Sequence, residues 1–202
     1  MEKIPNVGNA VKIVSLLEND IFHEVSLNQL SKLVSLDYKT IRATSQQLLD
    51  IGILKKNIRG KGHFISLNLR HYDIKTYLSF AAYYNRLTYF QKNKELNFLL
   101  EEIKNLNLGD SSLILFGSQV IRKQGKSSDV DLLLLTDNKS TVVKVKSLLS
   151  NYNLKSDLIS LAFKQYQNAL QAREFNLVNQ VLEKHIILYD PELYWELTLG
   201  GL

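Results

Sequence analysis

The stretch that most constrains this chain is DVDLLLLT, residues 129–136 of 202. Four consecutive leucines, Leu132 to Leu135, offer no polar side to solvent, so they read as a strand covered on both faces. Two carboxylates, Asp129 and Asp131, open that strand. Side chains alternate along a strand, so both point to the same face. Burying unpaired carboxylates costs roughly several kcal/mol. Three things offset such a cost: basic side chains such as Arg122 and Lys123, protonation, or a bound cation.

Composition sets the frame. With 45% apolar residues the chain suits one moderate domain or two small ones. There is no cysteine, so disulfides and thiolate metal sites are excluded and a reducing interior is allowed. The first residues, MEKIPNVGNAVKIVSLLEND, carry neither a long apolar core nor a small-residue cleavage site and do not read as a signal peptide. No apolar run approaches the roughly 18 residues of a membrane span. The expectation is a cytoplasmic protein with no membrane partner. Net charge is +5; residues 1–70 hold 10 Lys+Arg against 6 Asp+Glu, and residues 71–202 hold 15 against 14. A basic first third suggests either a polyanion partner or an ordinary solvated surface.

Residues 9–19, NAVKIVSLLEN, have helical spacing. Ser26 reads as the N-cap of LNQLSKLV, and Asp37 as the cap of a further helix ended by Gly52. Two strand-like runs then flank Gly60 and Gly62, a hairpin signal. Helix, short strand, helix, turn, helix, hairpin is the order of a winged helix-turn-helix. Lys39 and Arg42, beside Tyr38 and Thr40, fall at the start of the recognition helix, where such folds contact DNA. Lys55, Lys56, Arg59 and Lys61 surround the glycines of the wing and suit the phosphates of duplex DNA. Protein docking by the same module is the competing reading. Residues 72–105 contain no Gly or Pro and read as one long connecting helix, rich in tyrosine as core or interface.

The second module begins with SSLILF, a strand, followed by GSQVIRKQ, a glycine turn opening a short helix. The DVD strand, a helix, a third strand in LKSDLISLAF, helical segments to about residue 184, a last strand in HIILYD and the helix PELYWELT complete the order. A glycine after a buried strand lets backbone approach a ligand closely, and a helix start presents free N–H groups to phosphate. Hard Mg²⁺ is held by one or two carboxylates plus substrate phosphates. Together these suit a nucleoside triphosphate. GKS at 125–127 is not a P-loop, because Val120 stands where glycine is needed. Ser118 lacks the second glycine of a nucleophile elbow. The four histidines show no ligand spacing.

Gly117-Ser118, ten residues, then Asp129-Val130-Asp131 resembles the signature of the polymerase-β-like nucleotidyltransferase superfamily, and more narrowly of its minimal members. The resemblance covers roughly residues 95–195. Joined to the element order of the first module, it gives an expected α+β chain: a winged helix-turn-helix at 1–70, a connector at 71–106 and an α/β nucleotidyltransferase domain with a small mixed sheet at 107–202. It implies ATP as substrate and two Mg²⁺ ions on Asp129 and Asp131. Asp157 matches the third carboxylate; an exposed turn residue is the other reading. Gly117 and Ser118 would hold the β- and γ-phosphates, with Lys126 as a further phosphate contact or a solvated loop lysine.

The reaction implied is transfer of a nucleoside monophosphate to a hydroxyl. Similar minimal enzymes act as antitoxins that modify a tyrosine of a helical HEPN-type toxin. The N-terminal 70 residues depart from that minimal form. On the resemblance the chain is expected to be a protein adenylyltransferase. The alternative is a DNA-binding regulator whose C-terminal fold senses nucleotide or docks a partner without turnover. A homodimer is compatible with both.

Overall fold

The computed structural model describes residues 5–60, 62–121, 129–152, 155–172 and 177–202. By its internal contacts the chain divides into two compact units, Met1–Tyr84 and Asn85–Leu202.

The first unit opens with α1 (Val7–Glu18), β1 (Val25–Ser26), α2 (Leu27–Leu33) and α3 (Tyr38–Asp50). Each helix start is closed by a side chain accepting from an orphan amide. Asn6 caps α1, Ser26 caps α2 in a capping box with Gln29, and Asp37 takes both the N–H (2.9 Å) and the hydroxyl (2.6 Å) of Thr40 at α3. Gly52, at φ +79°, turns the chain out of α3 into β2 (Leu54–Arg59), which pairs antiparallel with β3 (Gly62–Leu67). The sheet order is β1-β3-β2. Ile13, Val14 and Leu17 of α1, Leu30 of α2, Ile41 and Leu48 of α3, and Leu54, Ile65 and Leu67 of the sheet form the buried interior.

A helix α4 (Ile74–Lys92) carries the chain across the boundary between units. The single helix expected over 72–105 is interrupted. The Asn93 side chain donates to the Tyr89 carbonyl at 2.7 Å, and its backbone leaves the helical region at φ −124° and ψ 64°. Asparagine competes in this way with the helix ladder. A single 3₁₀ turn (Lys94–Leu96) follows, then α5 (Asn97–Asn105). The break lets Phe90, Leu96, Leu99, Leu100 and Ile103 all enter one core. The span 71–106 is thus shared between two units.

The second unit is built on a mixed sheet. Its strands are β4 (Ser111–Phe116), β5 (Val130–Thr136), β6 (Ser156–Leu161) and β7 (Ile186–Tyr189), in the order β6-β5-β4-β7. β4 pairs antiparallel with β5 and β7; β5 and β6 run parallel, joined across α7 (Lys139–Asn151). A short α6 (Ser118–Ile121) follows β4, and α8 (Phe163–Gln171), α9 (Leu177–Glu183) and α10 (Pro191–Gly201) complete the unit. Leu132 to Leu135 are each fully buried. Leu132 and Leu134 join Leu113 and Leu115 in a core with α5 and α7 residues Leu99, Ile103, Val145 and Leu149. Leu133 and Leu135 face the other way, toward the side packed by α8 and α10. Tyr166, Tyr194 and Trp195 of those two helices are wholly buried. Both faces of the leucine strand are covered, as its composition requires. No described helix is long and apolar enough to cross a membrane.

Candidate active site

The strand β4 ends at Phe116, whose register partner is Asp131 on β5. The chain must then turn away at Gly117, which sits at φ +72°. A side chain is excluded here on two grounds. Left-handed φ is strained for any residue with a Cβ. A Cβ would also overlap the Asp131 carboxylate oxygen Oδ2 and lie 2.9 Å from its Cγ. The Asp131 carboxylate in turn accepts a hydrogen bond from the backbone N–H of Ser118. Turn and carboxylate, separated by a dozen residues in the chain, are packed directly on one another.

Asp157 on β6 is the parallel register partner of Asp131 and shares its face of the sheet. Asp131 is held above the usual carboxylate range. Burial is the main cause; the Ser118 N–H opposes it, and the charges of Asp157 and Asp129 add to it. Three carboxylates thus converge electrostatically at one end of the β5–β6 pair. Asp131 and Asp129 are part-exposed and Asp157 is exposed.

A residue outside the sequence reading completes the cluster. Lys155 Nζ lies 2.8 Å from Asp129 Oδ1. The Lys155 carbonyl accepts from the Val130 N–H at 2.9 Å, which ties its backbone to the start of β5. The signal was present in the sequence: a cation two residues before Asp157, at the start of the strand beside DxD. Arg122 and Lys123, the cations considered from the sequence, lie outside the described residues, as does Lys126.

The donor set suits a hard divalent cation, which prefers carboxylate oxygens. No group of three or more His, Cys, Asp or Glu among the described residues is gathered closely enough to hold an ion as it stands. Asp129 is turned onto Lys155. Asp129 is part-exposed and Asp157 is exposed, so neither carboxylate is sealed from an arriving cation. The residues therefore fit the Mg²⁺ that the motif implies in chemistry and in placement on the sheet, with Lys155 as the competing partner.

In the first unit, Lys39 and Arg42 are exposed on the opening turns of α3. Lys55, Lys56 and Arg59 are exposed on β2. Strand alternation divides them: Lys55 and Arg59 share a face with Asn57, and Lys56 lies on the other. Arg59 Nη2 is 2.9 Å from Glu24 Oε2, a charge contact rather than an aligned hydrogen bond. Asn57 donates to the other Glu24 oxygen at 2.9 Å. Lys61 lies outside the described residues.

Residues 101–193 match the family described as Polymerase beta, Nucleotidyltransferase. No curated protein and no solved structure matches the chain. The matched span runs from α5 into α10 and encloses the glycine turn, all three carboxylates and Lys155. That match supports a polymerase-β-like nucleotidyltransferase domain over residues 101–193.

Proposed function

We propose that the second unit transfers a nucleoside monophosphate, AMP from ATP, to a hydroxyl of an acceptor. A bond forms between the acceptor oxygen and the α-phosphorus, the α–β bridging bond breaks, and pyrophosphate leaves. The observation that carries this reading is the packing of Asp131 against Gly117 and Ser118, which supports the glycine turn and the carboxylates acting together. Gly117 and the Ser118 hydroxyl hold the β- and γ-phosphates, and the Ser118 amide joins them once Asp131 leaves it. Asp129, Asp131 and Asp157 would hold two Mg²⁺ ions. When bound, these cations supply charge neutralisation on the triphosphate and a lowered pKa for the acceptor oxygen. Asp157, the exposed carboxylate, takes the proton released by the acceptor. The acceptor follows the resemblance: a protein hydroxyl, such as a tyrosine of a HEPN-type toxin, with this chain as antitoxin.

The test is label transfer. Incubation with α-labelled ATP and Mg²⁺ labels a protein acceptor, and γ-labelled ATP does not. Asp131→Ala lowers transfer by orders of magnitude. Transfer of the γ-label, or α-label transfer that survives Asp131→Ala, contradicts the reading.

A second reading concerns the first unit, which we infer to be a winged helix contacting duplex DNA. Its support is the exposure of Lys39 and Arg42 on the first turns of α3, beside a hairpin carrying Lys55, Lys56 and Arg59. Lys61 adds a cation to that hairpin in sequence. In the regulator version, the second unit senses nucleotide without turnover. DNA affinity then falls steeply with salt, by a slope that drops about one unit for each phosphate contact removed.

A further inference from the structure

Among the described residues, Lys155 stands in the carboxylate cluster with no role in the nucleotidyltransferase reading. It belongs to no part of the GS-x10-DxD pattern, yet its ammonium is 2.8 Å from Asp129. Its position is anchored, because its carbonyl accepts from Val130 in the DxD strand. Its side chain is 80% exposed and free to swing, and Asp129 is 42% exposed.

We propose that Lys155 is a tethered cation that exchanges partners, pairing with Asp129 before a divalent ion arrives and with the triphosphate afterwards. This rests on the nucleotidyltransferase reading. Asp129 carries one negative charge, and a monovalent ammonium competes with a divalent cation for it. The competition lowers affinity for the cation alone. A triphosphate offers Lys155 a stronger anionic partner, which releases Asp129 for the metal. Lys155 thereby links the two binding events, and linkage makes the effect reciprocal. An exposed ion pair of this kind changes affinity by about two- to five-fold.

The experiment is a Mn²⁺ titration followed by electron paramagnetic resonance, with and without a non-hydrolysable ATP analogue. In the wild type, the analogue strengthens Mn²⁺ binding. Lys155→Met binds Mn²⁺ alone about two- to five-fold more tightly, and the gain from the analogue shrinks. Lys155→Arg, which keeps the charge, behaves like the wild type. If Lys155→Met leaves Mn²⁺ affinity unchanged or weakens it, or leaves the coupling intact, the exchange is wrong. If the wild type binds no Mn²⁺ at all, the metal reading itself fails, which is a different outcome. Circular dichroism of Lys155→Met checks that its fold is retained, and Lys155→Gln repeats the titration if it is not.

Discussion

Replacing Gly117 by alanine tests the union of the glycine turn with the DxD strand, and Gly109→Ala is its matched control. Gly109 has φ +59° with nothing within 4 Å of its would-be Cβ. Both substitutions force a Cβ into left-handed backbone, at about 1–2 kcal/mol. Both also remove glycine's unfolded-state freedom, which returns about 0.4–1 kcal/mol. Gly109→Ala should therefore cost about 1 kcal/mol and leave nucleotide transfer unchanged. Gly117→Ala adds a collision with the Asp131 carboxylate. That carboxylate must swing away and give up the Ser118 N–H, a charge-assisted hydrogen bond of about 1.5–3 kcal/mol. Leaving a partly desolvated position recovers part of that, so the added cost is about 1–2 kcal/mol. In a unit of this size each kcal/mol lowers Tm by about 4 °C. Thermal unfolding should therefore place Gly109→Ala about 4 °C and Gly117→Ala about 8–12 °C below the wild type. Transfer of α-label should fall by at least tenfold in Gly117→Ala only. Equal destabilisation of the two variants, or wild-type transfer by Gly117→Ala, would refute the argument that turn and carboxylate are one site.

Three further outcomes are expected. Asp131 has a raised folded-state pKa, so the native state holds its proton more tightly than the unfolded chain. The resulting stability is present below the ordinary carboxylate value and is lost as pH rises through the raised one. Asp131→Asn in divalent-free buffer should therefore be more stable than the wild type at neutral pH, the advantage vanishing in acid; a pH-independent difference in Tm contradicts this. Glu24→Gln removes the charge that holds Arg59 while preserving the acceptor for Asn57. Fluorescence anisotropy on duplex DNA should show tighter binding at low salt and a salt slope steeper by about one unit, and unchanged curves would take Arg59 out of the DNA reading. Tyr166→Phe deletes a buried hydroxyl bonded to Thr198 at 2.8 Å, in a group whose pKa burial pushes up to about 12. Urea unfolding should show a loss of about 1 kcal/mol with transfer intact; no loss would mean the bond is energetically silent.

What the sequence disclosed was local. Ser26 and Asp37 announce helix starts because a cap acts within three residues. Gly52 stands where only positive φ continues the chain. Leu132 to Leu135 announce a doubly covered strand because no polar side remains. That Gly117 and Asp131 serve one site was implied by the resemblance; their contact, with a carboxylate lying where a side chain would be, needed the paired strands. Tertiary contacts decided the rest. The break at Asn93 follows from burying Phe90 and Leu96 in one core, which no glycine or proline advertises. Arg59 reads as a free wing cation until Glu24, 35 positions earlier, is folded beside it. The pairing of Lys155 with Asp129 emerges only once β6 aligns with β5.

The central claim is that Gly117, Ser118 and the three carboxylates bind one metal–triphosphate complex. The most direct measurement is an anomalous difference map from crystals grown with Mn²⁺ and a non-hydrolysable ATP analogue. The account predicts Mn²⁺ peaks bridging Asp129 and Asp131, with Asp157 ligating one of them and the terminal phosphates on the Gly117–Ser118 turn. Manganese bound away from these carboxylates, or a triphosphate seated elsewhere while Asp131 remains on the Ser118 amide, would contradict it.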